Sequence, residues 1–318
     1  MLKICMIGLG SIGQRHMRNL TAALKRHGIS YQIDALRSGC AGSTFLGEKQ
    51  IGMLCRQYVH INELPDDYDI IFVTNPTFLH YQTMKKTICK TRHMFIEKPV
   101  FEDLAYDINC LPLKEGNIYY VACPLRHKSI LRYVKQMINS FENEKIVSVR
   151  ILSTSYLPSW REGDYRTVYS AKRELGGGVT RDLIHEWDYA VYLFGNPEKV
   201  YHMNGHVSDL EIDSDDVSVY IARYPHMFLE MHLDYIGQKA ERKLQIFTTE
   251  RRMDIDLVSD KIYEYQNNKR VNCTEFPKED HYMNEIEYFL NCIDHKTKNI
   301  NTIADAYYTL QIALAEEL

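Results

Sequence analysis

Three pieces of this chain carry residue types that could do chemistry. The first is Lys98, which stands between Glu97 and Pro99 at the end of an apolar run. A proline donates no backbone hydrogen bond and restrains the residue before it toward extended geometry, so the lysine is held. A held lysine can donate to charge developing on an oxygen. Most lysines are solvated, but this placement argues against that reading. The second piece is Gly178-Val-Thr-Arg-Asp182-Leu-Ile-His185-Glu-Trp-Asp188. Residues three apart share a helix face, so Asp182, His185 and Asp188 are expected to line up. A carboxylate beside an imidazole raises its basicity and orients it, which suits a general base. The same acids also suit a helix N-terminus with no catalytic role. The third piece is an aromatic and basic stretch holding Tyr156, Trp160, Arg161, Tyr165, Arg166, Tyr169, Lys172 and Arg173. Its rings could stack on a sugar and its cations could hold phosphate or carboxylate. A solvated flap that packs only on itself is the equal alternative.

These residues need elements to position them, and the start of the chain shows what kind. Leu2–Ile7 is an apolar run of buried-strand length, followed by Gly8-Leu-Gly10-Ser11-Ile12-Gly13 and then a helical pattern from Gln14. Strand, glycine turn and helix form the context in which G-x-G-x-x-G predicts a dinucleotide site. Gly8 allows the tight turn, Gly10 admits a pyrophosphate and Gly13 lets helix and strand pack closely. Free N–H groups of the helix and its dipole then face the phosphates. The second strand, Tyr31–Leu36, ends in Arg37-Ser38, where an acid would hold the 2′-hydroxyl of NAD. Asp34 falls mid-strand, and an arginine suits a 2′-phosphate, so the expected cofactor is NADP ahead of NAD.

Strands at 69–74, 93–96 and 118–122, with helices from Pro76 to about Lys90 and at 102–114, continue a β-α alternation that implies a parallel sheet. Thr74, Asn75, Pro76, His80 and Glu97 lie at or just beyond the strand ends, where such sheets bind ligands. After Cys123 a helix at 129–141 and a strand at 145–156 lead through the aromatic stretch. An amphipathic helix then runs from the glycine triplet to Phe194. From Lys199 to Phe276 the text is nearly all short strands, which predicts an antiparallel sheet. Helices at 280–292 and from 302 close the chain. The expected organisation is α/β, with a dinucleotide-binding domain at 1–123 and a mostly antiparallel α+β substrate domain at 124–318.

Composition narrows the partners. A net charge of −4 gives no basic surface for nucleic acid. No apolar run approaches the roughly 20 residues of a membrane helix. The apolar start at residue 2 is a strand, so no secretory leader is expected. Eight scattered cysteines without a C-x-x-C pair predict reduced thiols and a cytoplasmic protein. His202 and His206 lie in strand-like text broken by Gly205, and no zinc-type set stands out, so no metal is expected.

In combination, GLGSIGQRH, VTNPTFLH at 73–80, EKP at 97–99 and GGGVTRDLIHEWDYAVYLFG at 176–195 resemble the Gfo/Idh/MocA oxidoreductases. That is the family of glucose–fructose oxidoreductase and inositol dehydrogenase, and the resemblance runs to about residue 290. The stretch from Ser155 to the glycine triplet is similar to a subgroup associated with bacterial surface sugars. The resemblance implies hydride transfer between NAD(P) and a sugar hydroxyl or ketone, and dimers or tetramers built through the second sheet. It carries catalytic roles onto Lys98, Asp182 and His185. Asp and His are three apart here where many members have four. The expected substrate is an acidic or nucleotide-linked sugar held by Arg126, Tyr156, Trp160, Arg161, Tyr165 and Arg166. The alternatives are a redox-inactive NADP-binding sensor and a glycosidase that uses nicotinamide redox transiently.

Overall fold

The computed structural model describes residues 1–37 and 51–315, so Ser38 lies outside the described residues. The chain forms two compact units, one of residues 1–124 and 280–308, the other of 125–279 and 309 onward. A single cut after Cys123 therefore does not describe it, because a late helix returns to the first unit.

The first unit runs β1 (Leu2–Ile7), α1 (Ser11–Arg26), β2 (Tyr31–Leu36), β3 (Arg56–Tyr58), β4 (Tyr68–Val73), α2 (His80–Thr87), β5 (Thr91–Ile96) and β6 (Tyr119–Val121). The strands form one sheet in the order β3-β2-β1-β4-β5-β6, with every pair parallel. Chain order reverses between β1 and β4, and a crevice at such a switch point is where open α/β sheets bind ligands. Alternate strand residues Ile4, Met6, Ile33, Ile70 and Phe72 share one core with Met17 and Leu20 of α1. Ile286 and Phe289 of the returning helix, α6 (His281–Ile293), complete that core. Each such burial contributes roughly 1.5–3 kcal/mol, which explains why α6 joins this unit despite its distance in sequence.

The helix expected at 102–114 is absent; the segment is irregular, with only a 3₁₀ turn at Ile108–Cys110. Asp103 accepts from the Ala105 N–H at 2.8 Å and Asp107 from the Asn109 N–H at 2.9 Å. Side chains that bond nearby backbone in this way offer the chain a turn in place of a helix.

The second unit contains α3 (Ser129–Asn139), β7 (Ile146–Tyr156), α4 (Val179–Asp182), α5 (His185–Phe194), β8 (Lys199–Gly205), β9 (Val217–Arg223) and β10 (Phe228–Asp234). It continues with β11 (Ile236–Thr248), β12 (Arg252–Asp256), β13 (Lys261–Gln266) and β14 (Lys269–Glu275). The division between the units falls inside the last helix, α7 (Ile303–Leu314). Eight strands form one sheet in the order β14-β13-β12-β11-β7-β10-β9-β8, antiparallel except where β7 meets β10. Its inner face buries Val149, Ile151, Tyr220, Leu229 and Leu244, and Trp187 of α5 meets Tyr220 edge-on at 5.2 Å. The stretch from Leu157 to Leu175 is a chain of 3₁₀ turns.

The helix expected after the glycine triplet is two helices. α4 ends at Asp182, Leu183 leaves helical geometry with ψ near +25°, and α5 begins at His185. Asp182, His185 and Asp188 therefore do not share one continuous helix face. Among the described residues no helix is long and apolar enough to cross a membrane.

Candidate active site

The glycine turn is built by close packing. Gly8 has φ +86°, and a Cβ there would lie 2.6 Å from the backbone of Asn75. A Cβ on Gly13 would lie 2.3 Å from the Gly8 carbonyl oxygen, so helix and turn touch backbone to backbone. Thr74 stitches this contact, its hydroxyl donating to the Gly8 carbonyl at 2.6 Å and its N–H to that of Ile7 at 2.8 Å. Gly10 differs, because a Cβ there would meet nothing within 4 Å. Helix α1 starts at Ser11, and its N-cap, Gly10, has no side chain to bond its first N–H groups. The amides of Ser11, Ile12 and Gly13 thus belong to an uncapped N-terminus beside open space, as a diphosphate requires.

Arg37 follows β2, its N–H bonded to the Tyr58 carbonyl at 3.0 Å and its guanidinium to Gln57 at 3.1 Å. Asp34 is buried and accepts from the Tyr68 hydroxyl at 2.9 Å. The one acid in β2 is thus engaged inside the unit.

Two buried histidines grip the segment that carries Lys98. His80, the first residue of α2, is 1% exposed. Its Nδ1 faces the Pro99 and Val100 carbonyls at 3.1 and 3.2 Å, and its Nε2 faces the Asn75 carbonyl at 2.9 Å. Burial lowers its pKa against the pull of those carbonyls and of Glu97. Asn75 also donates to Thr83 at 2.8 Å, while its buried Oδ1 has no protein partner. Pro76 precedes the 3₁₀ turn Thr77–Leu79 that leads into α2. Opposite His80, His16 of α1 bonds one oxygen of Glu97, and the other accepts the Lys98 N–H at 2.9 Å. Burial would raise the Glu97 pKa, but the His16 bond and the charges of His16 and Lys98 bring it below the ordinary value. His80 and Glu97, expected to touch cofactor, are engaged here in holding the loops.

In the second unit Asp182 is buried, with one oxygen bonded by the Tyr169 hydroxyl and the other by the Tyr235 hydroxyl at 2.5 Å. Burial, and then the Asp182 charge, push the Tyr235 phenol well above its ordinary pKa, which keeps it a donor. Trp160 meets Tyr235 edge-on at 5.1 Å and donates to Ser155 at 2.9 Å. The glycine triplet lets these parts close up: Gly178 has φ +120°, and a Cβ there would overlap the Asp215 carboxylate. That carboxylate accepts from both the N–H and the hydroxyl of Thr180, at 2.9 and 2.6 Å. His185 opens α5 and is half-buried.

The expected anion-holding residues fare differently. Arg126 makes a buried bidentate pair with Asp188 at 3.0 and 2.8 Å, two of its donors serving structure. Arg166 pairs with Asp164 at 2.8 and 2.9 Å and with Glu211 at 3.0 Å. The Tyr165 hydroxyl accepts from the Glu211 N–H at 3.1 Å. Tyr156 ends β7, half-buried. Arg161 is exposed and lines a shallow depression with Leu157, Trp160 and Tyr165. Sequence reasoning missed His16 and Tyr235. The only signals were a histidine three residues past Gly13 and a tyrosine directly after a strand.

A parallel sheet with this turn at its first strand defines a dinucleotide-binding fold. Residues 2–109 match the oxidoreductase family with an NAD-binding Rossmann fold, and residues 131–254 match the GFO/IDH/MocA C-terminal domain. The chain belongs to the Gfo/Idh/MocA oxidoreductase family. It is 30% identical over 197 residues to YrbE, an uncharacterized oxidoreductase of Bacillus subtilis strain 168, covering 60% of this chain and 53% of that protein. It is 24% identical over 146 residues to 2,7-anhydro-N-acetylneuraminate hydratase of Escherichia coli K12, covering 44% of this chain and 37% of the hydratase. The matches thus span about half or less of those relatives' lengths. In fold it is similar to the WlbA dehydrogenase of Bordetella pertussis, solved with NADH and UDP-GlcNAcA. The TM-score is 0.75 at 17% identity, over 98% of this chain and 94% of that one.

Proposed function

We propose that this protein is an NAD(P)-dependent oxidoreductase that interconverts a hydroxyl and a ketone on an acidic or nucleotide-linked sugar. The observation that carries this reading is the first unit's sheet. The carboxyl ends of β1, β4 and β5 bring the open Gly10 turn, Asn75 and the doubly gripped Lys98 segment to one edge. A bound nicotinamide dinucleotide supplies the acceptor or donor of hydride. Gly8, Gly10, Ser11, Ile12 and Gly13 hold its diphosphate, Arg37 its adenosine ribose, and Thr74, Asn75 and Pro76 line the adjoining turn. Lys98 donates a hydrogen bond to the reacting oxygen and stabilises its developing negative charge. His185 accepts the hydroxyl proton in oxidation and returns it in reduction. Asp182, bonded by two phenols, sets the shape of the substrate side.

The substrate class rests on Arg161 beside Trp160 and Tyr165, and on the UDP-GlcNAcA bound by the WlbA dehydrogenase. The test is turnover of NAD⁺ and NADP⁺ with a panel of UDP-GlcNAcA, UDP-GlcNAc, levoglucosan and inositol. Lys98→Met is expected to lower kcat ~10²-fold or more on any sugar oxidised, the scale for losing an oriented donor. Full activity in that variant removes Lys98 from the mechanism.

The similarity to a hydratase favours one second reading, in which the dinucleotide is oxidised and reduced within a single turnover. Product formed with no net NADH absorbance would select it.

We further propose a homodimer or homotetramer formed through the outer face of the eight-stranded sheet. There Tyr201, Met203, Ile221 and Phe228 are 52–80% exposed on neighbouring strands. Light scattering of Met203→Glu/Phe228→Glu against the unmutated protein tests this. A cytoplasmic location fits the thiols of Cys5, Cys55, Cys89, Cys110, Cys273 and Cys292, none of which is in a disulfide.

A further inference from the structure

We infer that His16, acting through Glu97, is the positioning residue for Lys98. The inference rests on the reading of Lys98 as the donor to the reacting oxygen. His16 has no exposed surface, and its ring is packed among Phe72, Phe95 and Tyr282, with centroids 6.3, 4.8 and 6.1 Å away. Its Nε2 bonds Glu97 Oε1, and its Nδ1 is buried without a partner. An apolar side chain would fill this space without leaving a nitrogen unsatisfied, so the site accepts a cost in exchange for the one bond to Glu97. Glu97 in turn has no idle oxygen, since Oε2 accepts the Lys98 N–H at 2.9 Å.

The consequence is geometric. A carboxylate fixed at one oxygen by a helix cannot swing, so the backbone N–H bonded to its other oxygen cannot swing either. The helix is α1, whose first turn follows Gly10 and includes Gly13. One rigid element therefore sets both the glycine turn and the backbone of Lys98. His80 holds the far side of the same segment through the Pro99 and Val100 carbonyls. Displacing a reacting group by about 1 Å can cost ~10²-fold in rate, so a link of this kind registers in kcat ahead of binding.

The experiment compares His16→Leu, His16→Gln, Glu97→Ala and Lys98→Met in the full chain. Three quantities are measured: amide hydrogen exchange at residues 96–100, affinity for NADH and NADPH, and kcat on the best sugar of the panel above. In His16→Leu the Lys98 amide is expected to exchange at least about tenfold faster, kcat to fall ~10- to 100-fold, and dinucleotide affinity to change less than about threefold. His16→Gln, whose amide can still donate to Glu97, should recover most of both losses. Glu97→Ala should match His16→Leu, and decides the matter if His16→Leu does not fold. Unchanged exchange and kcat in His16→Leu, beside a slow Lys98→Met, overturn the inference and leave the reading of Lys98 standing. Loss of dinucleotide binding in both His16 variants also overturns it, since the histidine is then a packing residue. A fully active Lys98→Met overturns the reading of Lys98 itself.

Discussion

Tyr235 donates its hydroxyl to Asp182 at 2.5 Å, and Tyr169 occupies the other oxygen of the same carboxylate. Asp182 is thereby the anchor of the aromatic stretch, because Tyr169 belongs to it and Trp160 packs edge-on against Tyr235. Tyr235→Phe removes a hydrogen bond to an ionised, buried acceptor and should cost about 1.5–3 kcal/mol in urea unfolding. Tyr169→Phe should speed tryptic cleavage between Arg161 and Arg173. Unchanged cleavage would mean that the stretch is held elsewhere.

For the bidentate pair of Arg126 and Asp188, a structural role and a binding role give opposite answers. Burial pushes the Asp188 pKa up while Arg126 pulls it down, so the acid depends on its partner. Arg126→Met should destabilise by about 3–5 kcal/mol, and Arg126→Met/Asp188→Leu by clearly less, because the double variant leaves no buried charge alone. A stable Arg126→Met with a raised KM would instead assign Arg126 to substrate.

Two glycines of the same turn should separate folding from ligand binding. Gly10→Ala adds a methyl into open space, so the melting temperature should hold within a few degrees. If the diphosphate approaches through that space as proposed, affinity for dinucleotide should fall at least ~10-fold. Gly13→Ala drives a methyl against the Gly8 carbonyl and should lower stability itself. Equal dinucleotide affinity for Gly10→Ala and the unmutated protein would remove the diphosphate from this turn.

The proposed role of Arg37 makes a prediction about cofactor preference. With Asp34 engaged by Tyr68, NADPH should bind more tightly than NADH. Arg37→Ala should erase most of the difference, ~10- to 100-fold for a charge-assisted pair. Tighter NADH binding in the unmutated protein would show that the ribose is held by other groups.

His80 gives a pH dependence with a definite sign. Its folded pKa lies below 6.5 because burial disfavours the cation. Below pH 6.5 the unfolded chain takes up a proton that the folded one refuses, so this contribution is whole above pH 6.5. It is lost as pH falls toward the folded value, at up to about 1.4 kcal/mol per pH unit. The stability gap between the unmutated protein and His80→Gln should therefore shrink from pH 7 to pH 5. A gap that stays constant would mean that folding does not shift the His80 pKa, and a gap that widens would mean that its carbonyls hold the cation.

Much of this architecture is local in origin and so could be read from residue order. The strands at Leu2–Ile7 and Tyr31–Leu36 fall where the apolar runs place them, and strands at 68–73 and 91–96 begin one or two residues earlier than expected. Gly8, Gly10 and Gly13 likewise announce a turn by their spacing, because backbone sterics act within a few residues. The segment at 102–114 fails for a local reason too, as Asp103 and Asp107 compete for backbone N–H groups that a helix needs.

Tertiary structure alone decided which charge meets which. His16 finds Glu97 across 81 residues, Arg126 finds Asp188 across 62, and Tyr235 finds Asp182 across 53. Nothing periodic marks such partners, since each pair forms only when two elements from distant parts of the chain pack together. Arg126 and Arg166 read as anion ligands because an arginine announces a charge and not its counterion. The break at Leu183 has the same character. The spacing of Asp182 and His185 allows one helix, while the packing around Asp182 and Asp215 places two.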